Sequence, residues 1–286
     1  MSPHLIRNVS VISTGSGAAH AEHLYGTRKP SLWWIFTSQR WVPVPVNVYV
    51  VEHADGLVLF DTGADPAAAS DPDYWPDPVT ALFARHLFQW NIGPDAALAR
   101  QLENAGYAAA DVVKAVLSHL HFDHAGGIGD IPNAELYVAA EAWAHMLGPH
   151  PEREMVLRRH IAVLGSHWRP ITFQPTSDPA LAPFREVFDL MGDGSMMVLP
   201  TPGHLPGSVS MLVRRADASP LLLVGDLTYA AELLERDQLP ATGDADLLRE
   251  SFASVRALRQ HMPDLVILPA HDPDAAAKIK SASTKP

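Results

Sequence analysis

Short apolar runs rich in β-branched residues alternate along the chain with segments whose apolar residues recur at helical spacing. Two such runs flank an Asp-Gly pair and predict a β-hairpin with strands Val44–Glu52 and Gly56–Phe60. The remaining strands are predicted at Val112–Leu117, Leu136–Ala139, Met196–Leu199, Val209–Val213, Leu221–Val224 and Leu265–Leu268. Helical spacing and boundary residues predict helices at Asp95–Ala105, Ala140–Leu147 and Asp244–His261.

The order of these elements is mixed: a hairpin, then strand–helix alternation, then hairpins again with a final helix and strand. It favours an α/β (α+β) fold in which two sheets lie between helices, rather than a doubly wound sheet. No repeat or Gly/Ser linker divides the chain, so we expect one domain over 1–286 with its core at about 44–272 and an aromatic loop at 30–42. Segments 62–94 and 148–195 are rich in Pro and Asp, and we expect irregular binding loops or lids there.

Composition narrows the class of protein. Hydrophobic residues make up 47% of the 286 positions and charged residues 19%, which is typical of a soluble globular protein with a sizeable core. A net charge of -11 disfavours nucleic acid and anionic membranes as partners. The sequence has no cysteine, so disulfides and thiolate metal sites are excluded. It shows no signal peptide and no apolar stretch of membrane-spanning length, and we expect a cytoplasmic protein.

A dense group of histidines and aspartates directly follows the predicted strand Val112–Leu117. His119, His121, Asp123 and His124 fall within six positions. Neutral imidazole and carboxylate are ligands that suit zinc and similar ions. His119 and His121 lie two residues apart and project to the same side of an extended segment. Asp123 and His124 follow in a turn, where neighbouring side chains can diverge toward a second ion.

Three further candidates each come just after a predicted strand: His204, Asp226 and His271. Taken singly, such a histidine is more often a surface or satisfied core residue, and such an aspartate a turn or cap residue. Their repeated placement past the carboxyl ends of strands indicates one shared edge. We therefore predict a site for two divalent ions. Zinc is the expected metal, and iron, cobalt or manganese also fit nitrogen and oxygen ligands.

The pattern resembles the metallo-β-lactamase-fold hydrolases. His119–Gly127 reads HLHFDHAGG, the later His, Asp and His follow in order, and Leu59–Gly63 reads LFDTG. The resemblance covers about Val44–Asp272 and implies an αββα sandwich with two metals at the edge between the sheets. Within the superfamily, HLHFDHAGG is similar to the N-acyl homoserine lactonases. Ile128 departs from that family, which often has Asn after the two glycines.

The lactonase resemblance implies a role for each candidate ligand. One ion would be held by His119, His121 and His204, the other by Asp123, His124 and His271, with Asp226 bridging both. A hydroxide between the ions would attack the lactone carbonyl. Tyr229, three residues after Asp226, would contact that carbonyl, and Asp123 would protonate the leaving oxygen.

Aromatic residues are the candidates for binding the acyl tail of a small-molecule lactone. The residues assigned to this role are Trp33, Trp34, Phe83, Phe88 and Phe122. The alternative is that these aromatics fill the core or a subunit interface. In the lactonases some of the corresponding loops contribute to a dimer contact, so the resemblance is compatible with a homodimer.

Other chemistries remain open for the same ligands. They include another lactonase, a thioesterase similar to glyoxalase II, and a phosphodiesterase. A flavodi-iron oxygen reductase would need a flavodoxin-like segment, which this sequence lacks. A binding protein without catalytic activity is a further alternative, but such a protein would not require all seven ligands.

Overall fold

Two mixed β-sheets form the centre of the computed structural model, which describes residues 5–283. Residues 1–4 and 284–286 of the predicted domain lie outside the described residues. The strands, in chain order, are β1 (Ile6–His20), β2 (Trp41–His53), β3 (Gly56–Phe60), β4 (Phe88–Asn91), β5 (Val112–Val116), β6 (Glu135–Ala139), β7 (His167–Ile171), β8 (Gln174–Pro175), β9 (Glu186–Asp189), β10 (Met196–Pro200), β11 (Val209–Val213), β12 (Leu221–Gly225) and β13 (Val266–Pro269).

Helices lie in the connections between these strands. In chain order they are α1 (Ala21–Tyr25), α2 (Ser31–Thr37), α3 (Ala67–Ser70), α4 (Pro78–Leu87), α5 (Leu98–Asn104), α6 (Phe122–Ala125), α7 (Ala140–Leu147), α8 (Arg158–Ile161), α9 (Ala231–Glu235), α10 (Ala245–His261) and α11 (Ala275–Ser281). No helix within residues 5–283 is both long and apolar enough to cross a membrane.

The first sheet has seven strands in the order β4-β1-β2-β3-β5-β6-β7, and the second has six in the order β13-β12-β11-β10-β9-β8. In the first sheet β3, β5, β6 and β7 run parallel, whereas β1, β2 and β4 pair antiparallel. In the second sheet only β12 and β13 are parallel. The predicted two-sheet sandwich is confirmed.

Strands β10 to β13 of the second sheet are mainly apolar on both faces, which is why they read as apolar runs in the sequence. Along β12, Leu221 and Leu223 belong to the layer between the two sheets. Leu222 and Val224 belong to the layer between this sheet and α10. Because successive side chains of a strand point to opposite faces, each of these runs supplies both layers, and this part of the sheet is buried on both sides.

Helix α10 covers the outer face of the second sheet with Leu248, Phe252, Val255 and Leu258. These residues recur at helical spacing and give one apolar stripe. The helix begins after Asp244, whose Oδ1 accepts hydrogen bonds from the amides of Asp246 and Leu247, at 3.0 Å each. That side chain satisfies two amides that have no partner within the helix.

Asp244→Ala should therefore lower the free energy of unfolding by about 1 kcal/mol, since the two amides lose their acceptor. Urea unfolding followed by circular dichroism measures the change. The control is Glu250→Ala, which removes an exposed carboxylate from the same helix and should change stability by less than about 0.5 kcal/mol. Equal effects of the two substitutions would contradict the capping role.

The predicted hairpin, the helix Ala140–Leu147 and the strand Val209–Val213 are confirmed, and other predicted ends shift by a few residues. The expectation of irregular structure across 62–94 and 148–195 is wrong, because α3, α4 and β4 lie in the first segment and α8 and β7 to β9 in the second. The aromatic segment 30–42 contains helix α2 instead of a loop. The largest omission is β1, whose 15 residues lack a regular apolar alternation.

Candidate metal centre

The seven predicted ligands meet at one edge of the sandwich, where strands of both sheets end. His119 and His121 lie between β5 and α6, and Asp123 and His124 lie in the single turn of α6. The later three follow β10, β12 and β13 of the second sheet and are His204, Asp226 and His271. All seven are buried except His121, which is partly exposed. These ligands lie up to 152 residues apart in the sequence, and the two sheets bring them together.

Two glycines allow the backbone to pass close to this edge. Gly225, directly before Asp226, has a φ of 55°. A Cβ there would lie 2.6 Å from Ser118 Cβ, on the segment that carries the first histidines. Gly126, after α6, would place a Cβ 2.3 Å from the Asp65 amide nitrogen. A side chain at Gly225 would push two ligand-bearing segments apart, and one at Gly126 would push α6 away from the backbone at Ala64 and Asp65.

Three histidines form one half of the cluster. His119 Nε2 lies 2.9 Å from His121 Nδ1, and His204 Nε2 lies 3.1 Å from the same atom. The three ligand atoms all fall within 4.8 Å of one another. This set of converging imidazoles has the donor chemistry of a zinc or iron site.

Asp123, His124 and His271 form the other half. His271 Nε2 is 3.5 Å from Asp123 Oδ2, and His124 Nε2 is 3.9 Å from the same oxygen. Their ligand atoms also lie within 4.8 Å of one another. Two nitrogens and one carboxylate oxygen therefore converge on a second point.

Asp226 lies between the two halves. Its Oδ1 is 3.5 Å from His124 Nε2 and 3.4 Å from His271 Nε2, whereas Oδ2 is 3.6 Å from His204 Nε2. One carboxylate thus presents one oxygen to each group of ligands. This is the placement that a bridging ligand requires.

Hydrogen bonds behind the cluster orient three of the imidazoles. His271 Nδ1 lies 2.7 Å from the Pro45 carbonyl oxygen, and His124 Nδ1 lies 2.9 Å from Asp61 Oδ2. His119 Nδ1 is 2.9 Å from Ser118 Oγ. In each case Nδ1 is engaged outside the cluster, so that Nε2 points into it. Such outer partners set the tautomer and the ring orientation of metal-binding histidines.

The electrostatics of the cluster favour cations. Burial lowers the pKa of His119 and of His204 well below the usual range. Burial opposes ionisation of Asp226, but the nearby His271 and His124 outweigh it and hold its pKa well below the usual value. His119 and His204 are therefore neutral imidazoles that can coordinate an ion, whereas Asp226 and the neighbouring carboxylates outweigh burial and raise the pKa of His124 and of His271, which would release a proton when a metal ion binds.

Two buried atoms of the cluster support the fit to metal ions. His124 Nε2 and Asp226 Oδ1 have no hydrogen-bond partner among the described residues, although both are buried. Leaving a buried polar atom unpaired is costly unless an ion or another group satisfies it. Five imidazoles and two carboxylates, with no cysteine, fit two divalent ions with nitrogen and oxygen ligands.

Asp61 is a site residue to which the sequence analysis assigned no role. It directly follows β3 and has a φ of 64°, which is strained for a residue other than glycine. Its Oδ1 accepts from the Ser118 amide at 2.7 Å, and Oδ2 lies 2.9 Å from both Ser118 Oγ and His124 Nδ1. A carboxylate directly after a buried strand, in the LFDTG pattern, was the available signal.

Asp61→Asn should weaken metal affinity by about 10- to 100-fold, because His124 loses the carboxylate that orients it. Competition with a chromophoric chelator measures the change. Asp193→Asn is the matched control: its carboxylate lies 3.0 Å from the buried His53, remote from the cluster, and its loss should leave metal affinity unaltered. Wild-type affinity in Asp61→Asn would rule out the orienting role.

A cavity of about 550 Å³ opens beside the cluster. One end is polar and carries His121, Asp123, His204 and Asp226. The rest of its wall is mainly apolar, interrupted by the charged Glu152, Arg153 and Glu154, and includes Ile35, Val79, Phe83, Leu87, Phe88, Phe122, Met155 and Leu205. The cavity therefore joins the candidate metal centre to a hydrophobic pocket.

The predicted tail-binding aromatics divide into two groups. Phe83, Phe88 and Phe122 line the cavity. Trp33 and Trp34 do not: Trp33 is exposed on α2, and Trp34 is fully buried behind the cavity wall. Consecutive residues of a helix point in different directions, so only one of three neighbours, Ile35, reaches the cavity.

Tyr229 lies beside the cluster, 7% exposed. Its hydroxyl donates to Asp226 Oδ2 at 3.1 Å and lies 2.8 Å from His23 Nε2. Burial, reinforced by the charge of Asp226, raises the pKa of Tyr229 well above its usual value, so the phenol keeps its proton. His23 was not identified from the sequence. Only its contact in the folded chain reveals it.

Fold and site together define a metal-dependent hydrolase built as an αββα sandwich. The metallo-beta-lactamase superfamily profile matches residues 41–271, and the chain belongs to this superfamily. The fold predicted from the HLHFDHAGG pattern is thereby confirmed.

Two sequence relatives cover most of the chain. The N-acyl homoserine lactonase AttM of Rhizobium radiobacter is 30% identical over 251 residues, which cover 84% of this chain and 86% of that protein. A probable metallo-hydrolase of Mycobacterium tuberculosis is 35% identical over 242 residues, covering 80% of this chain and 74% of that protein.

A solved structure has the same fold. An N-acyl homoserine lactone hydrolase with the product N-hexanoyl-L-homoserine bound at its catalytic metal centre superposes with a TM-score of 0.76 at 20% identity. The match covers 98% of this chain and 97% of that chain. The two chains thus share one fold along nearly their whole length.

Proposed function

We propose that this protein hydrolyses the ester bond of N-acyl homoserine lactones to give N-acyl homoserines. Relatives named N-acyl homoserine lactonase support the proposal at 28% to 30% identity over 84% of the chain. The observation that carries it is the cavity, which has the candidate metal centre at one end and a mainly apolar wall elsewhere.

The two unlike parts of the cavity match the two parts of such a substrate. A lactone ring is small and polar, and its carbonyl can lie against the end that holds Asp226 and His121. An acyl tail is apolar and gains free energy by burial against Phe83, Phe88 and Phe122, at about 25 cal/mol per Å². These three phenylalanines are our proposed tail-binding residues.

The proposed ligands divide as the geometry groups them. His119, His121 and His204 would hold one ion, and Asp123, His124 and His271 the other, with Asp226 between them. We propose zinc, and iron, cobalt or manganese suit the same donors. When bound, two such ions supply Lewis-acid chemistry. They lower the pKa of water so that hydroxide forms near neutral pH, and they polarise an ester carbonyl.

Two side chains of the protein would stabilise the charge on the carbonyl oxygen and transfer the proton of the attacking water. The Tyr229 hydroxyl, next to Asp226 Oδ2, would donate a hydrogen bond to the carbonyl oxygen as negative charge develops there. Asp123 lines the cavity and is 6% exposed. Its carboxylate would take the proton from the attacking water and pass it to the ring oxygen as the ester bond breaks.

A substrate panel on protein of measured metal content tests this function. N-hexanoyl homoserine lactone, γ-butyrolactone, S-lactoylglutathione and bis-p-nitrophenyl phosphate cover the lactone, thioester and phosphodiester alternatives. We expect the highest kcat/KM for the acylated lactone, because only that substrate uses both parts of the cavity.

Removal of the ions by a chelator should abolish the activity, and zinc should restore it. A higher kcat/KM for the thioester or the phosphodiester would replace the proposed function by that alternative. Full activity in a chelated sample with no bound metal would exclude the mechanism. The homodimer and the cytoplasmic location stay predictions.

A further inference from the structure

His23 occupies a fixed place in the wall of the cavity. It lies on α1, and its ring is 5.3 Å from that of Phe88, 5.3 Å from that of Tyr229 and 6.1 Å from that of Trp34. Its backbone carbonyl accepts from the Ala241 amide at 3.1 Å. The side chain is buried, so these contacts hold the imidazole in one orientation.

The hydroxyl of Tyr229 joins His23 to the candidate metal centre. Its oxygen lies 2.8 Å from His23 Nε2 and 3.1 Å from Asp226 Oδ2. A phenol carries one hydrogen, and a carboxylate oxygen can only accept. For both contacts to be hydrogen bonds, the hydrogen of Tyr229 must point to Asp226 and the hydrogen in the other contact must come from His23.

This assignment determines the tautomer of His23. Burial lowers the pKa of His23 to about 4, so the ring is neutral near pH 7 and has one N–H. With that hydrogen on Nε2, Nδ1 is left as a buried acceptor without a partner. In the opposite tautomer, the buried N–H of Nδ1 would have no partner. If Tyr229 then donated its hydrogen to His23 Nε2, the Tyr229 and Asp226 oxygens would lie 3.1 Å apart without a hydrogen between them. Unpaired donors are the rarer of the two defects.

We propose that His23 is a positioning residue for Tyr229, donating its Nε2 hydrogen to the phenol oxygen so that the O–H points toward the metal centre. By occupying one lone pair, His23 excludes the rotamer in which the hydroxyl turns away. Accepting a hydrogen bond also makes a hydroxyl a stronger donor. The inference rests on the proposed function, because it assumes that Tyr229 serves the reaction there.

The tautomer can be tested without any substrate. In the zinc-loaded protein labelled with ¹⁵N-histidine, we expect His23 to carry its proton on Nε2 and not on Nδ1. His23→Gln identifies the resonances by their disappearance. Tyr229→Phe should shift the Nε2 signal of His23, since it removes the acceptor. A proton on Nδ1, or an Nε2 signal unchanged by Tyr229→Phe, would overturn the proposal.

A double-mutant cycle tests the positioning role in catalysis. His23→Phe keeps a ring but removes the donor, and we expect kcat/KM to fall about tenfold with zinc content and Tm little changed. In the Tyr229→Phe background the same substitution should change kcat/KM by less than about twofold, because its partner is already gone. His23→Gln, whose amide can donate at similar reach, should recover most of the loss.

Independent, multiplying effects of the two substitutions would show that His23 acts on its own and would overturn the proposal. If His23→Phe fails to fold, the ¹⁵N measurement still decides. Failure of the proposed function is distinguishable, because the wild-type protein would then hydrolyse a different substrate of the panel. The cycle would be repeated on that substrate, and the tautomer result would be unaffected.

Discussion

Asp226→Ala is expected to remove bound metal and hydrolase activity together. Each of its oxygens faces a different half of the cluster, so alanine takes a ligand from both ions at once. We expect kcat/KM to fall by on the order of 10³-fold or more, equivalent to about 4 kcal/mol of transition-state stabilisation. Metal per chain, measured by elemental analysis after gel filtration, should fall in the same preparation.

The control for this experiment is a buried histidine outside the cluster. His53 is 2% exposed and pairs with Asp193, so His53→Ala disturbs a buried polar contact but no proposed ligand. It should retain both ions even where stability falls. His121→Ala, which removes a nitrogen close to two other imidazoles, should behave as Asp226→Ala does. Two ions and the wild-type rate in Asp226→Ala would refute the bridging assignment.

Tyr229→Phe should separate metal binding from turnover. Only the hydroxyl is removed, and the ring keeps its contacts with Leu24, Val44 and Leu233. Fold and both ions should therefore be retained. Loss of one donor to a developing oxyanion costs on the order of 10²-fold in kcat, or about 2.7 kcal/mol.

Steady-state kinetics on a lactone give the diagnostic pattern for Tyr229. Because the hydrogen bond strengthens only as charge develops, kcat and kcat/KM should fall together while KM changes little. Tyr107→Phe removes the hydroxyl of a tyrosine that contacts Glu52 and Ser10 and should leave the rate unaltered. Full turnover by Tyr229→Phe would mean that its hydroxyl has no part in the reaction.

The sequence predicted strands β10 to β13 of the second sheet and its covering helix well, because burial on both faces requires continuous apolar runs, whereas the short and partly exposed β8 and β9 were missed. Leu221–Val224 is apolar throughout, and Asp244–His261 combines a capping residue with one apolar stripe. In both cases local pattern and tertiary environment agree, so the pattern alone identifies the element.

The sequence did not predict β1, because long-range pairing stabilises that strand. Its middle contains Gly15 and Gly17, where a Cβ would press on Ile92 and on β4. Pairing with β2 on one side and β4 on the other supplies the hydrogen bonds that a local pattern cannot signal. Tertiary context commonly overrides strand propensity in this way.

For the site, the sequence by itself determined which donor atoms are present and that each one lies just past the end of a predicted strand. Histidines and aspartates just past buried strands indicate metal coordination, because the ends of strands in a sandwich lie along a common edge. Their grouping does not follow from the residues alone: the family resemblance implied it, and in the folded chain His204 lies beside His121 and His271 beside Asp123. These contacts depend on how the sheets pack, which no local pattern contains.

The partners behind the ligands were likewise decided by the tertiary structure. Asp61 meets His124 from a distance of 63 residues in the chain, and His23 meets Tyr229 from a distance of 206. A single histidine in a short helix has no distinguishing neighbours in the sequence. Spacing reveals a site when its residues are adjacent or follow a common strand pattern, whereas a hydrogen bond between distant segments becomes visible only when the chain is folded.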